Sequence, residues 1–257
     1  SEVAARAALE GIDASAKAVL DGVVDAVATA PISKEALQLA GSPYPGHAEI
    51  FAHHARVQRV ATMLMHESLR VVHLSTHVSL RDACDLVKRE RIVSITKLAW
   101  SALKGMGFAE PRIALAALNP HGGDGGLFGR EELQEIAPAA EELLSQGIEV
   151  SGPIPADIVF SQALGGIWDL VVAMYHDQGH IPIKTASFSY DRAQQRWSST
   201  GGATLTLGLP FPRTSVDHGT AFDIAGKSQA EPSAMQAAIE LAARLARTSN
   251  FVGKRDL

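Results

Sequence analysis

Apolar residues recur every three or four positions at Leu9, Ile12, Ala16, Val19 and Val23, which predicts that the chain opens on an amphipathic helix. The period then changes. Val24-Asp25-Ala26-Val27-Ala28 reads as a short buried strand, and Ser33 is placed to cap a short helix that stops at Gly41. A helix is predicted over 47–56, two strands with a tight turn between them over 61–65 and 70–74, and a further helix after the cap Ser79. Ile92, Ile95, Ala99 and Leu103 share one face of a longer helix. Residues 113–118 form an uninterrupted apolar run, the mark of a central strand with both faces covered. The pattern over 131–146 is helical, with Pro138 at the first turn of a restarted helix and Gly147 closing it. Residues 170–174 read as a second buried strand, 204–209 alternate as a strand does, and 232–247 give a last helix. Helices alternating with short apolar strands predict an α/β fold built on a parallel sheet, here in two lobes. Ser42-Pro43-Tyr44-Pro45-Gly46 is the expected crossing between lobes, with the two ends of the chain packing together.

Composition narrows the picture. Of 257 residues, 46% are hydrophobic and 20% charged, an ordinary globular balance. The net charge of −5 is not gathered into blocks, which argues against nucleic acid as a partner and leaves a small anionic substrate open. Cys84 is the one cysteine, so neither an internal disulfide nor a cysteine-based zinc knuckle can form. With no apolar run near the ~20 residues that span a bilayer and no signal-peptide pattern, the expectation is a cytoplasmic protein without a membrane partner.

The chemistry gathers where predicted strands end, which is where open α/β sheets place their ligands. The strand over 70–74 runs into Ser75-Thr76-His77, that over 113–118 into Asn119-Pro120-His121-Gly122-Gly123-Asp124-Gly125-Gly126, and that over 170–174 into Tyr175-His176-Asp177-Gln178-Gly179-His180. Three imidazoles from separate strand ends suit one open metal site, although their separations match no compact metal motif. The competing reading is of loop histidines with ordinary hydrogen-bond partners. The glycines after Asn119 lack the ending of a phosphate loop and the spacing of a dinucleotide fingerprint. Asp217-His218-Gly219-Thr220 comes with no activated nucleophile, which argues against a hydrolase triad. Lys34, Lys184 and Arg213 each stand beside a turn signal and as a set suit a carboxylate and a phosphate, Arg213 with its two-pronged geometry.

Thr29-Ala30-Pro31-Ile32-Ser33-Lys34, Gly46-His47-Ala48-Glu49, Ser75-Thr76-His77, Leu118-Asn119-Pro120-His121, Pro155-Ala156-Asp157, Tyr175-His176-Asp177-Gln178-Gly179, Leu207-Gly208-Leu209-Pro210 and the run from Arg213 to Ala221 together resemble the successive signatures of the 4-hydroxythreonine-4-phosphate dehydrogenase family. They stand in the family's order and at nearly its spacing from Thr29 to Gly226. The family also holds 4-phosphoerythronate and 4-phosphothreonate dehydrogenases and a dihydrodiol-dicarboxylate dehydrogenase of aromatic degradation.

The resemblance implies a homodimer of two-lobed subunits like the isocitrate and isopropylmalate dehydrogenases, with the active site in the cleft near the subunit interface. On this plan residues 1–41 and 216–257 form what remains of the first lobe, and 42–215 form the second, with most metal- and substrate-binding residues. The implied ligands of one divalent metal ion are His77, His121 and His176, at least one of them coming from the partner subunit. Zn²⁺ is the first expectation, with Mg²⁺, Mn²⁺ or Co²⁺ as alternatives. The implied reaction oxidises a secondary alcohol β to a carboxylate, passes hydride to NAD or NADP, and then releases carbon dioxide. His47, Lys184 and Arg213 would bind substrate, with Lys184 also serving the chemistry. Asp157 and Asp177 would handle protons or orient the ligand histidines, and Lys34 would touch substrate or cofactor. Which residues hold the nicotinamide cofactor is left open.

Three departures from the family pattern bear on the substrate. Ala48 stands where a threonine hydroxyl is expected to meet substrate, and Thr204 where an asparagine is expected. The longer segment 187–199, with Trp197, and His180 are closer to the phosphothreonate branch, so the sugar-acid substrates are favoured over the pyridoxine (vitamin B6) step. A further and larger departure is at the start: the family carries more chain ahead of this point, including a Gly-Asp-Pro-x-Gly-Ile-Gly-Pro-Glu segment, and the expectation is that an N-terminal portion is missing here. The competing readings are a dihydrodiol-dicarboxylate dehydrogenase, a non-catalytic metal- or ligand-binding relic, and a zinc hydrolase or lyase using the same histidines.

Overall fold

The computed structural model describes residues 2–193, 195–200 and 202–248, the side chains of 196–200 excepted. In chain order its elements are α1 (Glu2–Leu20), β1 (Val27–Thr29), α2 (Lys34–Leu39), α3 (His47–His54), β2 (Ala61–His66), β3 (Leu69–His73), α4 (Leu80–Asp85), α5 (Arg89–Gly105), β4 (Ile113–Ala116), α6 (Ala137–Ser145), β5 (Val150–Ile154), α7 (Ala156–Leu164), β6 (Leu170–Ala173), α8 (His176–Ser187), β7 (Phe188–Asp191), β8 (Arg196–Thr200), β9 (Ala203–Leu207), β10 (Arg213–Val216) and α9 (Ser233–Arg247). The fold is mixed α/β. Among the described residues no helix is long and apolar enough to cross a membrane.

Local signals placed most elements. The Ser33 hydroxyl accepts from the Ala36 amide at the start of α2, and the Ser79 hydroxyl from the Asp82 amide at the start of α4. Helix α1 ends at Leu20, so Val23 falls outside it and is exposed rather than part of its apolar face. Over 131–146 the helix does restart at Pro138, but the turn before it, Glu132–Ile136, is π-helical. Two helices were not foreseen, α7 and α8; Gly179 and Pro182 disguise the second, since both disfavour helix interiors.

The chain divides into two compact units, Ser1–Thr62 with Ser187–Leu257, and Met63–Ala186. The expected partition, 1–41 with 216–257 against 42–215, is therefore redrawn at both boundaries. The physical reason is strand pairing: β10 runs parallel to β1, with Thr29 opposite Ser215, and β9 pairs antiparallel with β10. Residues 203–216 thus belong with the chain ends, and the 42–46 turn lies inside the first unit rather than at the crossing.

In the first unit the strand order is β1-β10-β9. Ile12, Ala16 and Val19 of α1, Leu37 of α2, and Ile50 and Phe51 of α3 bury together with Val27, Leu209 and Phe211. Helix α9 packs on β1, β9 and β10, and the Thr214 hydroxyl donates to the Ala238 carbonyl at 2.7 Å. Strands β7 and β8 form an antiparallel hairpin; the Trp197 side chain lies outside the described residues.

In the second unit the order is β2-β3-β6-β4-β5. Strand β2 is antiparallel to β3, whereas β3, β6, β4 and β5 run parallel. Alternate residues serve opposite faces: Val71, Ala114, Ala116, Val171 and Ala173 meet Val159, Phe160 and Ala163 of α7. Helices α5 and α6 pack against each other, α5 also against β3 and α6 against β5. Strand β4, with every residue buried, is covered on both sides, as its unbroken apolar run predicts.

Candidate functional site

Because β3, β6, β4 and β5 are parallel and adjacent, their C-terminal ends lie along one edge of the second unit. His77 follows β3, His176 follows β6, His121 follows β4 and Asp157 follows β5. The buried Gln178 side chain ties two of these ends together: its Oε1 accepts from the Met174 amide and its Nε2 donates to the Ala117 carbonyl, both at 2.7 Å. The Ser75 hydroxyl likewise donates to the Met174 carbonyl at 3.1 Å.

Four imidazoles stand together at the β3 and β6 ends. The His77 and His176 ring centres are 6.0 Å apart, His176 and His180 stack at 3.7 Å with 9° between planes, and His180 lies 4.5 Å from His73. The Asp177 carboxylate is 2.7 Å from Nδ1 of His176, which leaves Nε2 as the nitrogen to meet a ligand. His73 is buried and its Nε2 has no hydrogen-bond partner. Burial first, then the His180 and His176 rings, push its pKa down to about 3, so it is neutral at physiological pH. Gly179 makes this packing possible, since a Cβ there would lie 2.3 Å from His73 Nε2.

His121 sits in a different environment. Residues 121–125 all take left-handed backbone angles, with φ of 55° at His121 and 44° at Asp124. For side chains other than glycine that conformation costs roughly 1–2 kcal/mol each, so the surroundings must hold the loop. Glu132 does so. Its buried carboxylate accepts from the Leu118 and Asn119 amides, each at 2.8 Å, and from Asn119 Nδ2 at 2.9 Å. His121 Nδ1 lies 3.3 Å from the Asp124 carboxylate, and its ring stands 6.3 Å from Phe128.

Of the three expected ligands, the structure thus brings His77 and His176 together and leaves His121 with its own loop partners. Among the described residues no three His, Cys, Asp or Glu side chains are grouped to hold a metal ion. Two imidazoles at this spacing, one oriented by a carboxylate, fit half of a divalent-cation site.

The first unit contains a second concentration of chemistry. Thr29 of β1, Arg213 and Ser215 of β10, and Thr204 and Thr206 of β9 are all buried polar residues. The strand register puts them on one face of the three strands, opposite the face that Thr214 turns to α9. Arg213 Nη1 donates to the Thr206 hydroxyl at 3.1 Å, Nη2 donates to the Thr29 hydroxyl, and Nε has no partner. The guanidinium lies 5.7 Å from the Phe51 ring. No carboxylate pairs with it among the described residues, and burial lowers its pKa to about 10, partly offset by Glu49. It remains a cation at neutral pH. His47, the first residue of α3, is pushed down to about 4 by burial and then by Arg213. Ala48 follows it, half-buried, and Thr204 spends its hydroxyl on the Ser215 carbonyl at 3.3 Å.

The remaining expected residues are placed as follows. Lys184 lies two turns beyond His176 on α8, and His176, His180 and Lys184, spaced by four, share one helix face. Asp157 is exposed in the first turn of α7, and Lys34 opens α2. Sequence reasoning missed His73, Gln178, Glu132 and the clamp of Thr29 and Thr206 on Arg213. The signals were present: a histidine ending a buried strand, and hydroxyls recurring at alternate positions of β9.

A family model described as the pyridoxal phosphate biosynthetic protein PdxA matches residues 1–242. A D-threonate 4-phosphate dehydrogenase of Pectobacterium atrosepticum is 48% identical over 225 residues, covering 88% of this chain and 66% of its own length. A 4-hydroxythreonine-4-phosphate dehydrogenase of Desulforapulum autotrophicum is 45% identical over 239 residues, covering 93% and 67%. The crystal structure of 4-hydroxythreonine-4-phosphate dehydrogenase from Klebsiella pneumoniae superposes with a TM-score of 0.83 at 44% identity, covering 96% of this chain and 72% of that one. The chain spans about two thirds of the length of the curated relatives it matches.

Proposed function

From the chain's membership of the PdxA family, we propose that it acts as an NAD- or NADP-linked dehydrogenase on a phosphorylated β-hydroxy acid. D-threonate 4-phosphate is the first candidate substrate and 4-hydroxythreonine 4-phosphate the second. The observation that carries this reading is Arg213: a buried guanidinium with no carboxylate partner and an unpaired Nε is costly unless an anion completes it. The choice of substrate rests on Ala48, which offers no hydroxyl, and on His180, which stacks on His176. Relatives named for D-threonate 4-phosphate are among those matched.

In this reading His47, Lys184 and Arg213 bind the substrate's charged groups. His77, His121 and His176 would hold a divalent cation, Zn²⁺ first and Mg²⁺, Mn²⁺ or Co²⁺ otherwise. When bound, the cation supplies Lewis-acid stabilisation of negative charge on the substrate oxygen during both oxidation and decarboxylation. Asp177 holds the His176 ring by Nδ1. NAD or NADP, when bound, would supply the hydride acceptor for the alcohol carbon, and Lys184 or Asp157 would take the hydroxyl proton. On loss of carbon dioxide from the keto acid, the same groups would return a proton to carbon. We infer a homodimer on an isocitrate/isopropylmalate dehydrogenase-like plan, with a second copy completing the site. His121 standing apart from the His77–His176 pair, next to the exposed Leu127 and Phe128, supports that arrangement.

The test is reduction of NAD or NADP with each phosphorylated acid, with added Zn²⁺, Mg²⁺ or Mn²⁺ and with His121→Ala as control. Reduced cofactor formed with one substrate and abolished in the control is the expected result. A folded, metal-loaded preparation that reduces neither cofactor with any substrate would overturn the reading and favour a binding relic.

A further inference from the structure

Arg213 is held by hydroxyls whose direction the surrounding network imposes. The Ser215 hydroxyl donates to the Thr29 carbonyl at 3.0 Å, which commits its one proton. Between the Thr29 and Ser215 hydroxyls, 3.1 Å apart, Thr29 must therefore be the donor. The Thr214 carbonyl, at 3.4 Å, offers that proton a weaker second acceptor. Either way the Thr29 oxygen is left with lone pairs for the guanidinium, and Nη2 donates to it. On the other side the Thr206 hydroxyl takes Nη1 at 3.1 Å. The two hydroxyls, on strands flanking β10, grip the guanidinium by its two terminal nitrogens. They fix its plane without neutralising it. The Nε–H and an adjacent Nη–H form the edge that meets two oxygens of one phosphate or carboxylate.

We propose that Thr29 and Thr206 are positioning residues of an oxyanion subsite in the first unit, holding Arg213 so that its Nε edge presents to the phosphate or carboxylate of the substrate. The proposal rests on the reading above in which Arg213 binds substrate. It assigns the opening threonine of Thr29-Ala30-Pro31 to binding, not to strand packing. Because the clamp is already present when the site is filled, its loss raises KM and leaves kcat nearly unchanged.

The experiment compares Thr29→Val, which keeps the shape and removes the hydroxyl, with Thr29→Ser, which keeps the hydroxyl, and with Arg213→Met. Inorganic phosphate and acetate serve as probes, read by thermal stabilisation of the protein, and KM and kcat are measured on the phosphorylated acid. Thr29→Val is expected to weaken anion binding and raise KM by roughly tenfold, with Thr29→Ser within about twofold of wild type. The probe that protects better names the substrate end that Arg213 holds. If Arg213→Met binds both anions as wild type does, the substrate reading of Arg213 fails and the clamp with it. If Arg213→Met loses binding but Thr29→Val keeps it, the clamp alone is overturned. Equal losses in the Val and Ser variants also overturn it, since the hydroxyl is then not what matters. Wild type protected by neither anion removes the subsite altogether. Should Thr29→Val not fold, Thr206→Val against Thr206→Ser decides by the same criteria.

Discussion

Glu132 offers the sharpest test of how the His121 loop is held. Its carboxylate accepts three hydrogen bonds, from the Leu118 amide, the Asn119 amide and Asn119 Nδ2, at 2.8, 2.8 and 2.9 Å. Glu132→Ala strands all three donors in a part-buried setting and opens a cavity. A hydrogen bond to a charged group contributes about 1.5–3 kcal/mol, and neighbouring losses do not simply add. The expected cost is therefore about 3–5 kcal/mol, consistent with breaking a buried charged network. Glu132→Gln keeps one oxygen acceptor but turns an NH₂ toward a donor, and should cost about half as much. Urea unfolding of each variant gives the stability change at constant slope. If His121 serves the proposed cation site, a chelator competition should show metal affinity falling with it as the loop loses its left-handed conformation. A Glu132→Ala variant within about 1 kcal/mol of wild type, with unchanged metal affinity, would refute the idea that this carboxylate holds the loop.

Gly179→Ala should destabilise the protein by roughly 1–3 kcal/mol, since its Cβ would lie 2.3 Å from His73 Nε2 and 2.6 Å from Val71 Cγ1; unchanged urea unfolding would contradict that packing. In the proposed cation site, Asp177→Ala should weaken metal binding about ten- to hundredfold by releasing Nδ1 of His176, and equal affinity in a chelator competition would show that the carboxylate does not orient the ring. His47 is neutral in the folded protein down to about 4 but protonates near 6.5 when unfolded. The unfolded state thus gains the proton first, and stability present above about pH 6.5 is lost as pH falls toward about 4. The loss should approach about 2 kcal/mol near pH 5, and in chelator-treated protein a His47→Asn variant with the same acid sensitivity as wild type would exclude His47 as its source.

The parts legible in the sequence were those governed by local rules. Ser33 and Ser79 cap helices as their positions predict, and the unbroken apolar run around β4 is indeed buried along the whole strand. The strand ends carrying His77, His121 and His176 were also visible, because parallel strands finish where the polarity changes. Distant pairing was not visible. Nothing around Thr29 announces that it lies opposite Ser215, and without that pairing neither the unit boundaries nor the Arg213 clamp can be read. Glu132 was hidden for another reason. Between Glu131 and Gln134 it reads as a solvated helix start, and only the π-helical turn buries it. Helix α8 was masked by Gly179, a residue unfavourable for helix yet required by the close approach of His73.

The parallel pairing of β1 with β10 also bears on how the chain is made. The second unit is one uninterrupted stretch, Met63–Ala186, and the parallel strands β3, β6, β4 and β5 are all synthesised before β9 and β10. The first unit must wait, since Thr29 meets Arg213 only once a residue 184 positions further along has been added. During synthesis the histidine row of β3 and β6 can therefore form ahead of the anion subsite, while α1 to α3 stand without their sheet. Closing so long a loop costs little more than closing one half its length, about 0.6 kcal/mol per doubling. An insertion at an exposed turn of the second unit should consequently leave the Arg213 subsite intact, whereas a chain stopped before β10 has none.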